Sequence, residues 1–135
     1  MEDCIFCKII IGDIPSNRVH EDEDVVAFLE LHPSAPGHVM VIHRRHGKTV
    51  LDYSEKELGK IMTGVQKVAE KVEKGLKCNS ITIGINHNER RGVPHLHIHL
   101  VPRWEGDRGG IIQTVVNNPP QDSPEVIAEK IRKAT

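Results

Sequence analysis

The run His95-Leu96-His97-Ile98-His99-Leu100-Val101 constrains this chain more than any other segment. Side chains on a β-strand alternate between faces. Read as a strand over 95–101, the run puts three imidazoles on one face and Leu96, Ile98 and Leu100 on the other, where they can enter a core. Three readings of the histidine face are open. It can be the wet side of a half-buried strand. It can be a three-histidine zinc site, although the three residues span ~13 Å at ~3.3 Å per residue and converge poorly on one ion. Or it can be catalytic, one imidazole acting as nucleophile while its neighbours orient it and deliver protons. Imidazole suits that task because its nitrogen is nucleophilic and it titrates near neutrality.

The apolar face of such a strand needs partners, and the sequence offers them. Val25–Leu29, residues 38–42 and residues 80–85 read as further short strands, bounded by turn residues such as Gly37. Residues 54–75 carry the strongest helical pattern: Ser54 and Glu57 form a capping box, and Leu58, Ile61, Met62, Val65, Val68, Ala69 and Val72 recur on one face. Gly75 supplies a stop, and Gly64 inside the helix costs stability. Residues 4–11 form a short helical turn closed by Gly12, Asp13 and Pro15. Ser123 and Pro124 open a last helix running to about residue 133. The expected fold is α+β: an antiparallel sheet of about five strands with one long helix and a C-terminal helix, in one domain over 1–135.

Composition narrows the partners. The formal net charge is −1, and only four Phe, Tyr or Trp residues are present. Neither the overall charge nor the aromatic content points to binding of a nucleic-acid polymer, so none is expected. No apolar run reaches the length of a membrane span. Cys4-Ile-Phe-Cys7 opens the chain without a basic-then-apolar leader. That pattern suits a reducing, cytoplasmic setting, where Cys-x-x-Cys marks metal or redox chemistry. As a zinc half-site it lacks two ligands, for which His43, His46 and His95 are the candidates. A redox dithiol and two ordinary buried cysteines are the other readings. Cys78 has no partner in the sequence pattern.

HLHIHLVPR resembles the His-φ-His-φ-His-φ-φ signature of the histidine-triad (HIT) family. CIFCKII, then AFLELHPSAPGHVMVIHRRH, the helix, and INHN follow the family's order. The resemblance covers about residues 4–104 and leaves 105–135 as a C-terminal extension. It implies that His97 attacks the α-phosphorus of a nucleotide to form a nucleotidyl-histidine intermediate. His99 contacts the phosphate and helps protonate the leaving group. His95 supports, its backbone carbonyl fixing the His97 tautomer. It also implies a nucleotide pocket: Glu30 on the ribose hydroxyls, in place of the usual Asp or Asn, with Phe28 and Leu29 as apolar walls and Asn86 near the phosphate.

One departure stands out. The family's usual Gln or Ser donor positions hold Arg91 and Gly92. Arg91, or the backbone N–H groups of Gly92 and Val93, can replace that donor; equally, Arg91 can extend into solvent. The resemblance further implies structural zinc on Cys4, Cys7, His46 and His95. It implies a homodimer too, with helix 54–75 and strand 80–85 near its interface. The substrate it suggests is an adenosine phosphoramidate or a dinucleoside polyphosphate. A purine-nucleotide-binding or interaction protein with vestigial catalysis is the alternative. His20, His32, His38 and His87 read as structural or solvent-exposed, with His38 positioned to orient a loop.

Overall fold

The computed structural model describes residues 3–134. Five strands form one antiparallel sheet: β1 (Arg18–Glu21), β2 (Val25–Leu29), β3 (Val39–His43), β4 (Ser80–Gly84) and β5 (His97–Arg103), in the order β1-β2-β3-β5-β4. Three helices accompany it: α1 (Ile5–Ile10), α2 (Glu55–Leu76) and α3 (Pro124–Lys133). The expected α+β architecture is present. β1 was not anticipated; its sequence, RVHE, is short and charged, and a bulge between Arg18 and His20 interrupts its pairing with β2.

Alternation on the strands divides the core in two. Val25 and Ala27 of β2, Val39 and Val41 of β3, and Ile98 and Leu100 of β5 face α2, meeting Ile61, Val65, Val68 and Val72. Val26, Phe28, Met40 and Ile42 face the other way, onto Phe6 and Ile9 of α1. All of these apolar residues are buried, and such burial contributes roughly 1.5–3 kcal/mol for each large side chain. Gly64 lies where α2 crosses β2; a Cβ there would come within 2.7 Å of Val25 Cγ2, so the glycine permits the approach.

Helix α2 starts as expected: the Ser54 side chain accepts from Glu57 N–H and the Glu57 carboxylate accepts from Ser54 N–H. Its end differs. The helix runs through Gly75 to Leu76, and Lys77 takes the left-handed turn at φ 53°, donating its N–H to Glu73 O. Beyond Arg103 the described chain contributes no buried residue, and α3 presents no buried side chain. No helix of the described residues is long and apolar enough to cross a membrane.

Candidate active site and metal cluster

Strand β5 begins at His97, two residues later than expected. His95 N–H turns back onto Val93 O and Leu96 N–H bonds Gly47 O, so the chain joins the β3 ladder only at His97, paired with Ile42. The His95 ring therefore leaves the row. It is fully buried, while His97 and His99 stay half-buried on the α1 face of the sheet.

Each ring is wired by a different partner, and the partners set where its proton sits. His97 Nδ1 lies 2.7 Å from His95 O. A carbonyl only accepts, so Nδ1 carries the proton and Nε2 keeps its lone pair. That is the nucleophilic tautomer. At His99, Nδ1 lies 2.9 Å from His38 Nε2. The other His38 nitrogen, Nδ1, accepts from Ser34 N–H at 3.1 Å. His38 must then donate from Nε2, His99 accepts at Nδ1, and a neutral His99 presents Nε2–H. Burial lowers the pKa of both His38 and His99 below the ordinary histidine value, with the nearby His97 and His38 adding to the effect at His99. Neutral rings are what this wiring requires.

His38 is thus a site residue that sequence reading placed among the structural histidines. It is buried, and it reaches His99 because β3 pairs with β5 in the register Val39↔Leu100. Glu30 brings a ligand atom within 4.8 Å of both His38 and His99. The set is a poor cation cage: the two facing nitrogens already share one proton, and Ser34 N–H occupies the remaining His38 lone pair.

The remaining expected residues fall on different parts of the fold. Phe28 is buried on the triad face, edge-on to Phe6 at 5.5 Å between ring centroids. Leu29 packs toward α2 and also borders a cleft with Glu30 and His38. Asn86 lines a cleft with His97 on one side and a second with His38 and His99 on the other. Arg91 is exposed, and Val93 packs against the α1-side core. A Cβ at Gly92 would meet the Glu89 carboxylate at 2.6 Å. Ile112 and Val115, from the C-terminal extension, line the cleft over His99.

A second cluster sits at the other end of His95. Cys4 Sγ lies 3.5 Å from His95 Nδ1, Cys7 Sγ 3.6 Å from the same atom and 3.4 Å from His46 Nδ1. All four ligand atoms lie within 4.8 Å of one another. A tetrahedral zinc with Zn–S near 2.3 Å and Zn–N near 2.05 Å separates S and N by about 3.6 Å, so the spacing fits. The protonation fits too. His95 Nε2 lies 2.9 Å from His43 O and must donate, which leaves Nδ1 unprotonated toward the sulfurs. Burial drops the His95 pKa to about 4, keeping the ring a neutral ligand. Burial and the adjacent Cys4 raise the Cys7 thiol, a strain that a cation would relieve. His43, the third sequence candidate, contributes its carbonyl, while its ring packs on Tyr53 at 5.3 Å.

A comparison with known families matches residues 12–106 to the HIT domain. The chain belongs to the HIT family. A HIT-like protein of Methanocaldococcus jannaschii is 41% identical over 107 residues, spanning 77% of this chain and 81% of that one. The adenosine 5'-monophosphoramidase of Saccharomyces cerevisiae is 32% identical, over 81% of this chain and 68% of the yeast protein. Among solved structures, a zinc-bound histidine triad family protein from Mycobacterium smegmatis superposes with a TM-score of 0.75 at 30% identity, covering 88% of this chain and 85% of the other. The HIT assignment agrees with the five-stranded antiparallel sheet and its histidine-bearing strand.

Proposed function

We propose that this HIT chain is a nucleotide hydrolase or transferase that works through a covalent nucleotidyl-histidine intermediate on His97 and releases AMP or a similar monophosphate. One observation carries the reading: His95 O holds the proton of His97 on Nδ1, leaving Nε2 as a ready nucleophile. His97 Nε2 attacks the α-phosphorus, the bond from phosphorus to the leaving group breaks, and His99 Nε2–H hydrogen-bonds the departing atom, which takes up its proton from solvent. Water then attacks the same phosphorus and gives up its proton to solvent, and the P–N bond opens to free His97 with its Nε2 lone pair restored.

Glu30, beside His38, is the residue to accept the ribose hydroxyls, with Phe6 and Phe28 as the apolar wall and Asn86 as the phosphate donor. The name of the yeast relative favours a phosphoramidate as substrate. Zinc on Cys4, Cys7, His46 and His95 would hold the N-terminal segment to the triad, a structural role, and reduced thiols suit a cytoplasmic setting. Edge strand β4, with Ile83 and Ile85 exposed, supports a homodimer joined near β4 and α2.

The test is incubation with a fluorogenic adenosine phosphoramidate, a dinucleoside polyphosphate and an α-phosphorus-chiral analogue. Two in-line displacements retain configuration, and His97→Ala loses turnover by several orders of magnitude. Inversion, or full activity in His97→Ala, would mean direct attack by water. Tight nucleotide binding with no turnover would favour the vestigial reading.

A further inference from the structure

The metal cluster and the nucleophile share two physical links. The first is His95. Its ring is pinned at both nitrogens, Nδ1 among Cys4 and Cys7 and Nε2 on His43 O, while its own main-chain carbonyl accepts from His97 Nδ1. A shift of the ring drags the carbonyl that fixes the His97 tautomer. The second link is Phe6. It lies between Cys4 and Cys7 in sequence, and its ring stands edge-on to His97 at 5.1 Å, to His95 at 5.9 Å and to Phe28 at 5.5 Å.

Helix α1, which carries Phe6, has only six residues, far below the length at which a helix holds itself in water. Its anchors are few. Cys4 caps it, Cys7 N–H bonding Cys4 Sγ at 3.4 Å; Phe6 and Ile9 are buried; and the Arg18 guanidinium bonds Ile9 O and Ile10 O. Two of the four cluster ligands therefore sit on the element that supports one side of His97, and a third carries the carbonyl on the other side.

The geometry points to His95 and Phe6 as positioning residues for His97, held in register by the metal bound at Cys4, Cys7, His46 and His95. The metal then does more than join the N-terminus to the sheet: it selects the proton-bearing nitrogen of the nucleophile. The claim needs metal at the cluster, whereas only its effect on turnover rests on the reaction proposed above.

The experiment uses the full chain, reduced, first metal-loaded and then stripped with a chelator. Histidine ring nitrogens are read by long-range proton–nitrogen NMR, with His97 assigned through His97→Gln. Expected is a single Nδ1–H form of His97 when loaded, a mixture with the Nε2–H form when stripped, and full return on adding zinc. The amide spectrum reports whether the fold persists. If the stripped chain unfolds, His46→Gln replaces it. That change removes the one ligand not joined to the nucleophile, and weakens metal binding by more than about 100-fold, since losing even an outer partner of a ligand costs ~10–100-fold. The Nε2–H form then rises as zinc is diluted while the fold stays intact. In turnover the same titration lowers kcat at constant KM. A His97 tautomer unchanged between loaded and metal-free folded protein overturns the proposal. A tautomer shift without nucleotide turnover in either state leaves the link standing and removes the reaction.

Discussion

His38→Phe isolates the proton wiring from the chemistry it serves. The substitution keeps a buried ring of nearly the same size at a position 6% exposed, so the cavity left behind is small. It deletes one hydrogen bond, from His38 Nε2 to His99 Nδ1, and strands the Ser34 N–H that pointed at His38 Nδ1. A hydrogen bond between neutral groups contributes about 0.5–1.5 kcal/mol net. At 1.36 kcal/mol per decade, the bias of His99 toward its Nε2–H form falls by about 2- to 13-fold. Turnover falls by no more than that factor. The loss in His99→Ala, which removes the donor itself, is larger, on the order of 10²–10⁴-fold.

The assay is steady-state release of AMP from an adenosine phosphoramidate by both variants, with melting curves to establish that both are folded. His38→Gln, whose amide offers a donor near the same place, recovers part of the loss. Wild-type activity in His38→Phe means His99 holds its tautomer without help. A loss equal to that of His99→Ala means His38 meets the substrate directly. Either result refutes the relay.

Gly64→Ala should destabilise by about 1–3 kcal/mol despite alanine's better helix propensity, because the new Cβ meets buried Val25 at 2.7 Å; a raised melting temperature refutes the close approach. The pH dependence follows from His95. Burial holds its folded pKa at about 4 against an ordinary 6.5, so the neutral ring's contribution is fully present above about 6.5 and is lost as pH falls from there to about 4. Metal-free protein loses up to about 3 kcal/mol across that window, read by melts at stepped pH, and His95→Gln flattens the curve. Arg91→Ala, at an exposed position, leaves kcat/KM within about 2-fold; a fall of ~10–100-fold, or about 1.4–2.7 kcal/mol, shows the guanidinium closing on phosphate during turnover.

The HIT motif was legible because period-two alternation is a local signal: Leu96, Ile98 and Leu100 had to enter the core wherever the strand lay, and they do. The long helix was legible for the same reason, down to its capping box. Cys4 and Cys7 marked half of the Cys/His cluster that the fold brings together, and His46 and His95 followed from resemblance. What stayed hidden depends on cross-strand register. His38 sits 61 residues from His99, and no spacing rule shows that antiparallel pairing of β3 with β5 brings their rings together. His95 looked like one of three equivalent imidazoles because alternation was extended two residues too far. The turn at Val93–His95, held by main-chain bonds, carries no periodic signature. Leu29 follows Phe28 and so turns toward α2, yet at the end of β2 it also borders a cleft with Glu30 and His38, a double position that strand alternation alone does not show.

The wiring of the site has a consequence for how such a chain tolerates change. His97 answers to the carbonyl of residue 95, His95 to that of residue 43, and His38 to the amide of residue 34. These atoms belong to the main chain, and no point substitution can delete them, apart from proline removing an amide. Placement of the protons is thus inherited with the backbone trace, and the side chains at 34 and 43 take no part in it. Beyond the histidines themselves, loss of function at this end of the molecule should also arise from mutations that move the trace by a fraction of an ångström, at positions with no chemical role of their own.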